Sequence, residues 1–536
     1  MSKVKKLFAI VLSLAMIMGM SLTTFAKTPG EDNVYGTSDD RGTITVNGIT
    51  QEEGITVTAY QIVEAQYDQT TGAFTGYNAL YDSIDDSGDI VAPDDINQDT
   101  LNSILADIRG DNPTVDPARS FSMTSTDGTS YSATVPVGTY LVVIENAETK
   151  VYNPVVVSVS YINAAGGNDL SEGIVGISDN NNAWVKVSDV PSVDKSVSDA
   201  DETNQNGNSV NVGDTVTYKV TIDPIPNYGG DHPVLNVVDT LSAGLTYANT
   251  EQDPLTVIVD GAAGQDVTLV EGTDYTLTVN GQTITVDFVV NENYTLNNYV
   301  GESVVITYKA TVNNNAVVNA GGNNNDVVLN YTTDSKTTGN NGDDEDKTYT
   351  YTFDIDGSTT GTKDIITKVG EGEEEEALPG AVFGLYTDSS CDEDDLYTNN
   401  VFTTGTVTSD SEGQLYISGL AAGTYYLKEI SAPTGYSVNT HVFEIVISAS
   451  YNTDGTLASW NVTIDGTEAA SFTVDHTSGT PVTTPDIDGV DIKNTHLSSL
   501  PSTGGMGTTI FTIGGCVIMI AAAGLFFASR RRQENK

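Results

Sequence analysis

Cysteine is nearly absent from this chain of 536 residues. Of its two cysteines, Cys516 lies in a long apolar segment near the C-terminus, which leaves Cys391 alone in the rest of the sequence. A scaffold held together by disulfides is therefore excluded. Because large proteins outside the cell commonly rely on disulfides, the domains either need no cross-link or form another kind of covalent bond.

Basic residues are also scarce. The chain has 22 Lys and Arg against 73 Asp and Glu, a formal net charge of −51. Repulsion between this charge and phosphates excludes nucleic acid as a partner, and the charge favours solubility at an exposed surface. The four histidines are scattered, and the sequence has no Ser/His/Asp constellation, phosphate loop or EF-hand loop. We therefore expect no enzyme activity of these types, no cofactor and no metal site.

Long apolar runs are confined to the two ends. Lys3, Lys5 and Lys6 precede an apolar stretch and then Ala26, an order typical of a secretory signal peptide cut after Ala26. At the other end, residues 506–529 would form a helix of roughly 36 Å, enough to cross a hydrocarbon core of about 30 Å. Three arginines follow, at 530–532, and the positive-inside rule keeps them in the cytoplasm.

The residues between these ends favour strands. Apolar and polar residues alternate in "VNVGDTVTYKVTI", "GQTITVDFVV" and "ESVVITYKATV", which is the pattern of half-buried strands. One segment, "TLNSILADIRG", instead has the spacing of a helix with Leu101, Ile104, Leu105 and Ile108 on one face. Domain boundaries are predicted within residues 188–195 and in the polar stretch 332–347, which has the composition of a linker.

A short motif precedes the apolar C-terminal segment. The residues are Leu500, Pro501, Ser502, Thr503 and Gly504, followed by the predicted helix and the basic tail. This three-part arrangement resembles the wall-sorting signal of Gram-positive surface proteins. The resemblance implies that a sortase cysteine attacks the Thr503 carbonyl, that the chain is cut before Gly504, and that an amine resolves the acyl-enzyme.

Lysines open the second and third predicted domains, although lysine is rare here. The third contains "IITKVG", "GTYYLKEISAPTGY" and "GVDIKNTHLSS", and it resembles the collagen-adhesin B-type (CnaB-like) domain of Gram-positive pilins. The resemblance implies an isopeptide bond between Lys368 and Asn494, assisted by Glu429. Such a bond needs no oxidant and would serve as the missing cross-link.

The second domain contains "VDKSVSD", "VLNVVDTLSAGLTY" and "GGNNNDVVLNYTTD". It resembles the middle domain of major fimbrial subunits, which implies an isopeptide bond between Lys195 and Asn325 assisted by Asp239. A shift of one residue along a strand reverses the face of a side chain, so Asn324 is disfavoured relative to Asn325.

The first domain is predicted to lack such a bond. Its segment "VPVGTYLVVIENA" parallels "LAAGTYYLKEISA" of the third domain. With Gly138 aligned to Gly423, Ile144 takes the position of Glu429, and Glu145 would face the opposite side.

Lys186, in "NAWVKVSDVP", lies where pilins of this family often have a linking lysine in a "YPK" motif. This chain lacks the Tyr and Pro. Lys186 is predicted to join the Thr503 of the next subunit, with Lys150 as the alternative and an ordinary strand lysine as the competing interpretation.

Together these features predict an all-β protein with tandem immunoglobulin-like or CnaB-type β-sandwich domains and a C-terminal transmembrane sorting helix. The resemblance implies the major subunit of a covalent pilus on a Gram-positive cell wall, supporting adhesion. Its implied partners are sortase, identical subunits and peptidoglycan, with minor pilins and host surface ligands as further partners. The alternative is a monomeric wall-anchored adhesin or a minor basal pilin.

The predicted divisions are a signal peptide (1–26), an N-terminal pilin domain (27–190), a middle isopeptide-forming domain (191–335), a C-terminal CnaB-like domain (336–499) and the sorting signal (500–536).

Overall fold

A computed structural model of the chain describes residues 35–84, 96–109, 119–125, 127–163, 173–178, 181–198, 206–229, 233–248, 250, 253–261, 264–337, 339–355, 364–372, 376–497 and 507–533. The predicted signal peptide and the LPSTG motif lie outside these residues. The chain divides into two compact units, Met1–Thr352 with Ser450–Ala458 and Phe353–Ala449 with Ser459–Lys536. The first unit contains two separate hydrophobic cores, one within residues 44–185 and one within residues 193–331.

The first core belongs to an N-terminal domain of short strands and one helix. Its described elements are β1 (Arg41–Asn47), β2 (Thr56–Tyr67), β3 (Phe74–Ala79), α1 (Gln98–Arg109), β4 (Ser120–Ser122), β5 (Thr124–Ser125), β6 (Ser130–Pro136), β7 (Gly138–Glu145), β8 (Lys150–Tyr152), β9 (Val155–Val159), β10 (Tyr161–Ile162), β11 (Gly176–Ile177), β12 (Asn181–Trp184) and β13 (Val187–Asp189). One sheet has the order β12–β1–β6–β5, and the other has the order β3–β2–β7–β9 with β4 also on β2. Residues of both sheets share the first core.

Helix α1 confirms the predicted amphipathic segment. Leu101, Ile104, Leu105 and Ile108 are all buried and belong to the first core. At the helix start, the Asn97 side chain accepts a hydrogen bond from the Thr100 N–H at 2.9 Å, which satisfies one of the donors that a helix terminus leaves unpaired.

The second core belongs to a middle domain of two six-stranded sheets. Its described strands are β14 (Ser192–Ser198), β15 (Gly207–Ser209), β16 (Thr215–Asp223), β17 (Leu235–Leu241), β18 (Leu245–Ala248), β19 (Thr256–Asp260), β20 (Val267–Thr268), β21 (Thr276–Asn280), β22 (Thr283–Asp287), β23 (Val289–Val290), β24 (Asn293–Tyr294), β25 (Ser303–Val312), β26 (Asn323–Tyr331) and β27 (Gly342–Tyr351). The first sheet contains β14–β16–β25–β19–β20 with β18 on β25, and the second has the order β15–β27–β26–β17–β22–β21. Buried and less buried residues alternate along β16, β22 and β25, which confirms the predicted alternation.

The prediction that residues 332–347 form a linker is wrong. Residues 332–335 are buried, and β27 pairs with β26 along its length. The acidic residues that suggested a linker alternate on this strand. Asp344 and Asp346 accept hydrogen bonds from the N–H groups of Val193 (2.8 Å) and Lys195 (2.6 Å), whereas Asp343 and Glu345 are exposed. Two of the acidic side chains of β27 therefore satisfy backbone N–H groups of β14, the edge strand of the other sheet.

The second unit contains a seven-stranded sheet and two short strand pairs. The described elements of this C-terminal region are β28 (Phe353–Ile355), β29 (Ile366–Gly370), β30 (Val382–Tyr386), β31 (Thr406–Thr408), β32 (Ile417–Leu420), β33 (Gly423–Ser431), β34 (Val442–Tyr451), β35 (Leu457–Ile464), β36 (Thr467–Asp475), β37 (Val482–Ile487), β38 (Val490–Asn494) and α2 (Gly507–Gln533). The large sheet has the order β31–β30–β33–β34–β35–β36–β37, while β29 pairs with β38 and β28 with β32.

The strands confirm the predicted all-β class. Helix α2 is the C-terminal apolar helix, and its segment Ile510–Arg531 is long and apolar enough to cross a membrane by length and composition.

We expect Leu105→Ala to destabilise the N-terminal domain by about 2–5 kcal/mol, because it removes a fully buried side chain of α1 and leaves a cavity. Ser103→Ala changes an exposed position of the same helix and serves as the control. Differential scanning calorimetry should show a lower transition temperature for Leu105→Ala alone. Equal transitions in both variants would mean that α1 does not contribute to the core.

Candidate functional site

Two buried lysines identify the candidate sites. In the middle domain, Lys195 on β14 is 0% exposed, Asp239 on β17 is 2% exposed, and Asn325 on β26 is 0% exposed. Strands β17 and β26 are neighbours in one sheet, whereas β14 belongs to the other. Asp239 lies on the buried face of β17 with Val237. The three predicted residues therefore meet in the core between the sheets.

The Lys195 side chain is held by polar and aromatic contacts. Its Nζ donates a hydrogen bond to Asp239 Oδ2 in a buried ion pair and a second to the Tyr308 hydroxyl at 3.1 Å. The same Nζ lies 5.3 Å from the ring centroid of Tyr218 and 5.6 Å from that of Tyr308. These contacts hold the amine in place beside the carboxyl group.

Burial favours the neutral forms of this pair. It lowers the pKa of Lys195, against the opposing charge and hydrogen bond of Asp239. It also raises the pKa of Asp239, against the Lys195 charge and hydrogen bonds from Lys195 and Tyr308. Transfer of the Lys195 proton to Asp239 removes both charges from the core. It leaves a free amine next to a carboxylic acid, which is the state that a nucleophilic lysine needs.

Three consecutive asparagines begin β26, and their hydrogen bonds distinguish them. Asn323 is fully engaged: its amide donates to Val317 O (3.0 Å) and Thr350 O (3.1 Å), and its oxygen accepts from Val317 N (2.9 Å). Asn324 is less buried and bonds to Asp326. Asn325 Nδ2 donates to the Tyr308 hydroxyl at 2.7 Å, and its Oδ1 has no partner among the described residues. Asn325 is thus the asparagine whose carbonyl is free to react.

The second cluster lies in the C-terminal region. Lys368 on β29 is 0% exposed, and Asn494 at the end of β38 is 1% exposed. These strands run parallel, with Lys368 opposite Ile492. Because side chains alternate along a strand, Lys368 and Asn494 lie on the same face of the pair. Glu429, also buried, reaches the cluster from β33 of the seven-stranded sheet.

Glu429 contacts the Asn494 amide directly. Its Oε1 accepts from Asn494 Nδ2 at 2.7 Å, and its Oε2 accepts from Asn439 N at 2.5 Å. Lys368 Nζ donates to the backbone oxygens of Ile492 (2.8 Å) and Val369 (3.2 Å). Burial lowers the pKa of Lys368 to about 8, although Glu429 opposes the shift. A substantial fraction of this amine is therefore neutral near physiological pH.

The N-terminal domain has the same local geometry without the acid. Gly138 and Gly423 begin their strands with φ of 156° and 159°. The following tyrosines bond back four residues, Tyr140 to Pro136 O at 2.7 Å and Tyr425 to Ala421 O at 3.1 Å. This similarity supports the alignment made from sequence.

In that alignment, buried Ile144 takes the place of Glu429. Glu145 instead forms an ion pair with Lys336 at 3.0 Å. Lysine occurs among the described residues of this domain at 150 and 186, and neither is fully buried.

Lys186 and Lys150 differ in their surroundings. Lys186 lies between β12 and β13, is partly buried, and burial lowers its pKa. Lys150 forms an ion pair with Asp189, and this hydrogen bond raises the pKa of Lys150. The exposed side chains of Trp184 and Val187 flank Lys186.

Two further observations bear on the predicted sites. The five sorting-signal residues, 500–504, lie outside the described part of the chain. Among the described residues, no group of three or more His, Cys, Asp and Glu side chains could hold a metal ion.

Sequence reasoning missed Tyr308. It lies in "ESVVITYKATV", where alternation places Tyr308 on the buried face of β25 with Val304 and Ile306. That pattern is the same for an ordinary core tyrosine, so only the structure shows its contacts with Lys195 and Asn325.

Family models match successive parts of the chain. A T6 antigen Ig like domain matches residues 39–188, and a Gram-positive pilin backbone subunit 2, Cna-B-like domain matches residues 212–335. A Prealbumin-like fold domain matches residues 363–463, and the LPXTG cell wall anchor motif matches residues 492–536. The first two matches fall on the N-terminal and middle domains, and the last includes the predicted sorting signal.

Individual proteins are similar to this chain over most of its length. The chain is 25% identical to the trypsin-resistant surface T6 protein of Streptococcus pyogenes serotype M6, covering 92% of this chain and 96% of that protein. The solved T6 backbone pilin of the same serotype has a TM-score of 0.54 at 21% identity, covering 86% of this chain and 100% of that one. The major pilin SpaA of Corynebacterium diphtheriae has a TM-score of 0.44 at 16% identity, covering 85% and 100% of the two chains.

The chain is a T6-like Gram-positive backbone pilin with Cna-B-like domains and an LPXTG anchor motif. It is a structural subunit rather than an enzyme, a sortase substrate, and a cell-wall-anchored surface protein of the pilus. The expected fold and family are confirmed.

The lowered pKa of Lys368 predicts how pH affects stability when the bond cannot form. In Asn494→Ala the amine stays free, and its protonation opposes folding fully below about pH 8 because the folded-state pKa lies below the ordinary value of 10.5. The penalty decreases as pH rises from 8 towards 10.5. We expect the free energy of unfolding to increase by about 2 kcal/mol between about pH 7 and about pH 9.5.

The measurement is unfolding in guanidinium, monitored by tryptophan fluorescence at each pH. Changing Trp184 to Phe leaves buried Trp460, in the C-terminal region, as the fluorophore. The control adds Lys368→Met to Asn494→Ala, which removes the titrating amine. If the control gains as much stability with pH as Asn494→Ala does, Lys368 is not the responsible group.

Proposed function

We propose that this backbone pilin is the shaft subunit of a covalently polymerised, wall-anchored pilus that supports adhesion, and that it strengthens itself with two intramolecular isopeptide bonds, Lys195–Asn325 and Lys368–Asn494. The observation that carries the proposal is the burial of both lysines beside a carboxyl group and an asparagine. A buried charged lysine is costly, and an amide bond removes that charge permanently.

The chemistry of each bond follows from its cluster. The neutral lysine amine attacks the asparagine Cγ, and the carboxylic acid supplies a proton to the nitrogen that leaves as ammonia. Glu429 is placed for this role, since it already contacts the Asn494 amide. Folding of the strands holds the reactants together, which replaces a bimolecular collision.

The domain divisions follow the strands. We place the N-terminal domain at 27–190, because β13 pairs with β8 while β14 pairs with β16. The middle domain is 191–352, longer than the sequence predicts, because β27 completes its second sheet. The C-terminal CnaB-like domain is 353–499, with the signal peptide at 1–26 and the sorting signal at 500–536. The T6 backbone pilin has a modular three-domain structure, which supports this division.

For polymerisation, Thr503 is the acyl donor and Lys186 of the neighbouring subunit is the amine. Lys186 is preferred over Lys150 because burial lowers the pKa of Lys186 and no described residue forms an ion pair with its amine, whereas Lys150 pairs with Asp189. The partners are sortase, identical subunits and, at the base, peptidoglycan, together with minor pilins and host surface ligands. The matches to backbone pilins favour this function over a monomeric adhesin or a basal pilin.

We expect the full-length protein, made without sortase and purified in detergent, to have a mass lower than calculated by two ammonia molecules. Asn325→Ala should lose only one, whereas Asn324→Ala changes the adjacent asparagine and should still lose two.

Glu429→Ala should leave the Lys368–Asn494 bond unformed and lower the thermal midpoint, since such a cross-link stabilises by about 4–5 kcal/mol in the chain-entropy model. Intact-mass spectrometry and peptide mapping measure each bond. An unshifted wild-type mass would refute the proposal.

We expect Lys186→Ala to abolish the high-mass ladder in immunoblots of wall extracts while leaving wall-anchored monomer. Lys150→Ala is the matched control and should keep the ladder, because its amine is engaged by Asp189. A ladder that persists in Lys186→Ala but not in Lys150→Ala would transfer the role to Lys150. Persistence in both variants would exclude both lysines.

A further inference from the structure

The hydroxyl of Tyr308 lies between the reacting groups of the middle domain. It is 2.7 Å from Asn325 Nδ2 and 3.1 Å from Lys195 Nζ. We propose that Tyr308 is a catalytic residue of bond formation, relaying a proton from Asp239 to the Asn325 nitrogen that leaves as ammonia. This inference rests on the proposed function of the Lys195–Asn325 pair and adds a residue to it.

The sheet geometry leaves room for Tyr308 between the acid and the asparagine. Asp239 is directly opposite Val327, and Asn325 is opposite Leu241, so Asp239 and Asn325 are diagonal neighbours on one face. Such positions are roughly 7–8 Å apart, and both side chains are short. Tyr308 projects from β25 of the other sheet, and its ring is long enough to reach between them.

The hydrogen bonds place the phenol oxygen against both nitrogens, which donate to it before the reaction. When Asn325 Cγ becomes tetrahedral, Nδ2 gains a lone pair that can accept, so the phenol then turns its hydrogen towards Nδ2. Asp239 and Tyr308 both contact Lys195 Nζ, so the carboxyl group lies near the phenol, and Asp239 Oδ1 has no partner among the described residues. Since Asn325 uses its nitrogen for its contact with Tyr308, the phenol lies on the leaving-group side of the amide, and Asn325 Oδ1 stays free.

The C-terminal cluster provides an internal comparison. There the acid is a glutamate on the facing sheet, and Glu429 Oε1 contacts Asn494 Nδ2 directly at 2.7 Å. In the middle domain, the amide donates to Tyr308 instead. Glu429 would therefore protonate Asn494 Nδ2 directly, whereas Asp239 would protonate Asn325 Nδ2 through the Tyr308 hydroxyl.

The proton and bond changes balance. Lys195 first transfers its proton to Asp239, which leaves a neutral amine and a carboxylic acid. The amine nitrogen forms a bond to Asn325 Cγ. The Asp239 acid passes its proton to the Tyr308 oxygen while Tyr308 passes its own to Nδ2, and the resulting Asp239 carboxylate takes one proton from the attacking nitrogen. The Cγ–Nδ2 bond then breaks and ammonia leaves, so Tyr308 ends as a neutral phenol and Asp239 as a carboxylic acid.

The environment keeps the phenol neutral and fixed. Burial raises the pKa of Tyr308 far above its ordinary value, so the hydroxyl exchanges protons without forming a phenolate. Its ring stacks on Tyr218 at 5.4 Å and meets Tyr247 edge-on at 5.9 Å. These contacts hold the oxygen between the reacting nitrogens.

The test compares Tyr308→Phe with Tyr247→Phe in the full-length protein. Both remove one hydroxyl from neighbouring rings, but the Tyr247 hydroxyl is buried without a partner among the described residues. Bond formation is followed by peptide mapping at timed intervals after cell-free synthesis. We expect Tyr308→Phe to slow the Lys195–Asn325 bond by at least about 100-fold, as for loss of a general acid–base group. Tyr247→Phe should match wild type, and the Lys368–Asn494 bond should form normally in all three proteins.

A second variant separates the relay from a packing role. Adding Asp239→Glu to Tyr308→Phe supplies a longer acid, as in the C-terminal cluster, and we expect at least a tenfold recovery in rate. Equal rates in wild type and Tyr308→Phe would overturn the relay while leaving the proposed function intact. Loss of a protease-resistant middle domain in Tyr308→Phe, with no recovery in the double variant, would also overturn it and assign Tyr308 to packing. Absence of the bond from wild type would instead refute the proposed function of this pair.

Discussion

The burial of two lysine amines is the constraint on which the rest of the structure depends. Lys195 and Lys368 are among the largest fully buried side chains among the described residues. A charged ammonium in such a place is destabilising unless it is paired or neutralised. Each amine therefore requires a carboxyl group nearby, and each carboxyl group is itself buried at a cost. An amide bond between lysine and asparagine removes the lysine charge permanently, and the neighbouring carboxyl group can then stay protonated and neutral.

The two domains meet this constraint with different arrangements of strands. In the middle domain, the lysine comes from one sheet while the acid and the asparagine share the other. In the C-terminal region, lysine and asparagine share a parallel pair, and the acid faces them from the large sheet. The choice of acid follows from this difference. Glu429 contacts the Asn494 amide, whereas Asp239 pairs with Lys195.

Periodicity predicted much of this fold, because strands such as β25 and helix α1 bury one face and expose the other. Lys195 and Lys368 drew attention because lysine is rare and both sit among apolar residues, but it was the resemblance to pilin domains that implied their role. The segment 332–347 was misjudged, since composition cannot show that Asp344 and Asp346 bond to a neighbouring edge strand. Tyr308 was missed because its role depends on a contact between two sheets that no local pattern encodes.

Strand β27 has a mechanical consequence that follows from its position in the chain. With both proposed bonds formed and subunits joined through the proposed Lys186 and Thr503, tension bypasses residues 196–324 and 369–493 but still passes through residues 326–367. This stretch contains β27, which forms an antiparallel pair with β26. Tension applied at Asn325 and after Tyr351 pulls apart the open end of that pair, so its hydrogen bonds are loaded one after another. The parallel pairing of β27 with β15 and the bonds from Asp344 and Asp346 to β14 hold the strand from other directions. The acidic strand that resembles a linker is therefore the segment whose attachment limits how far the middle domain extends under load.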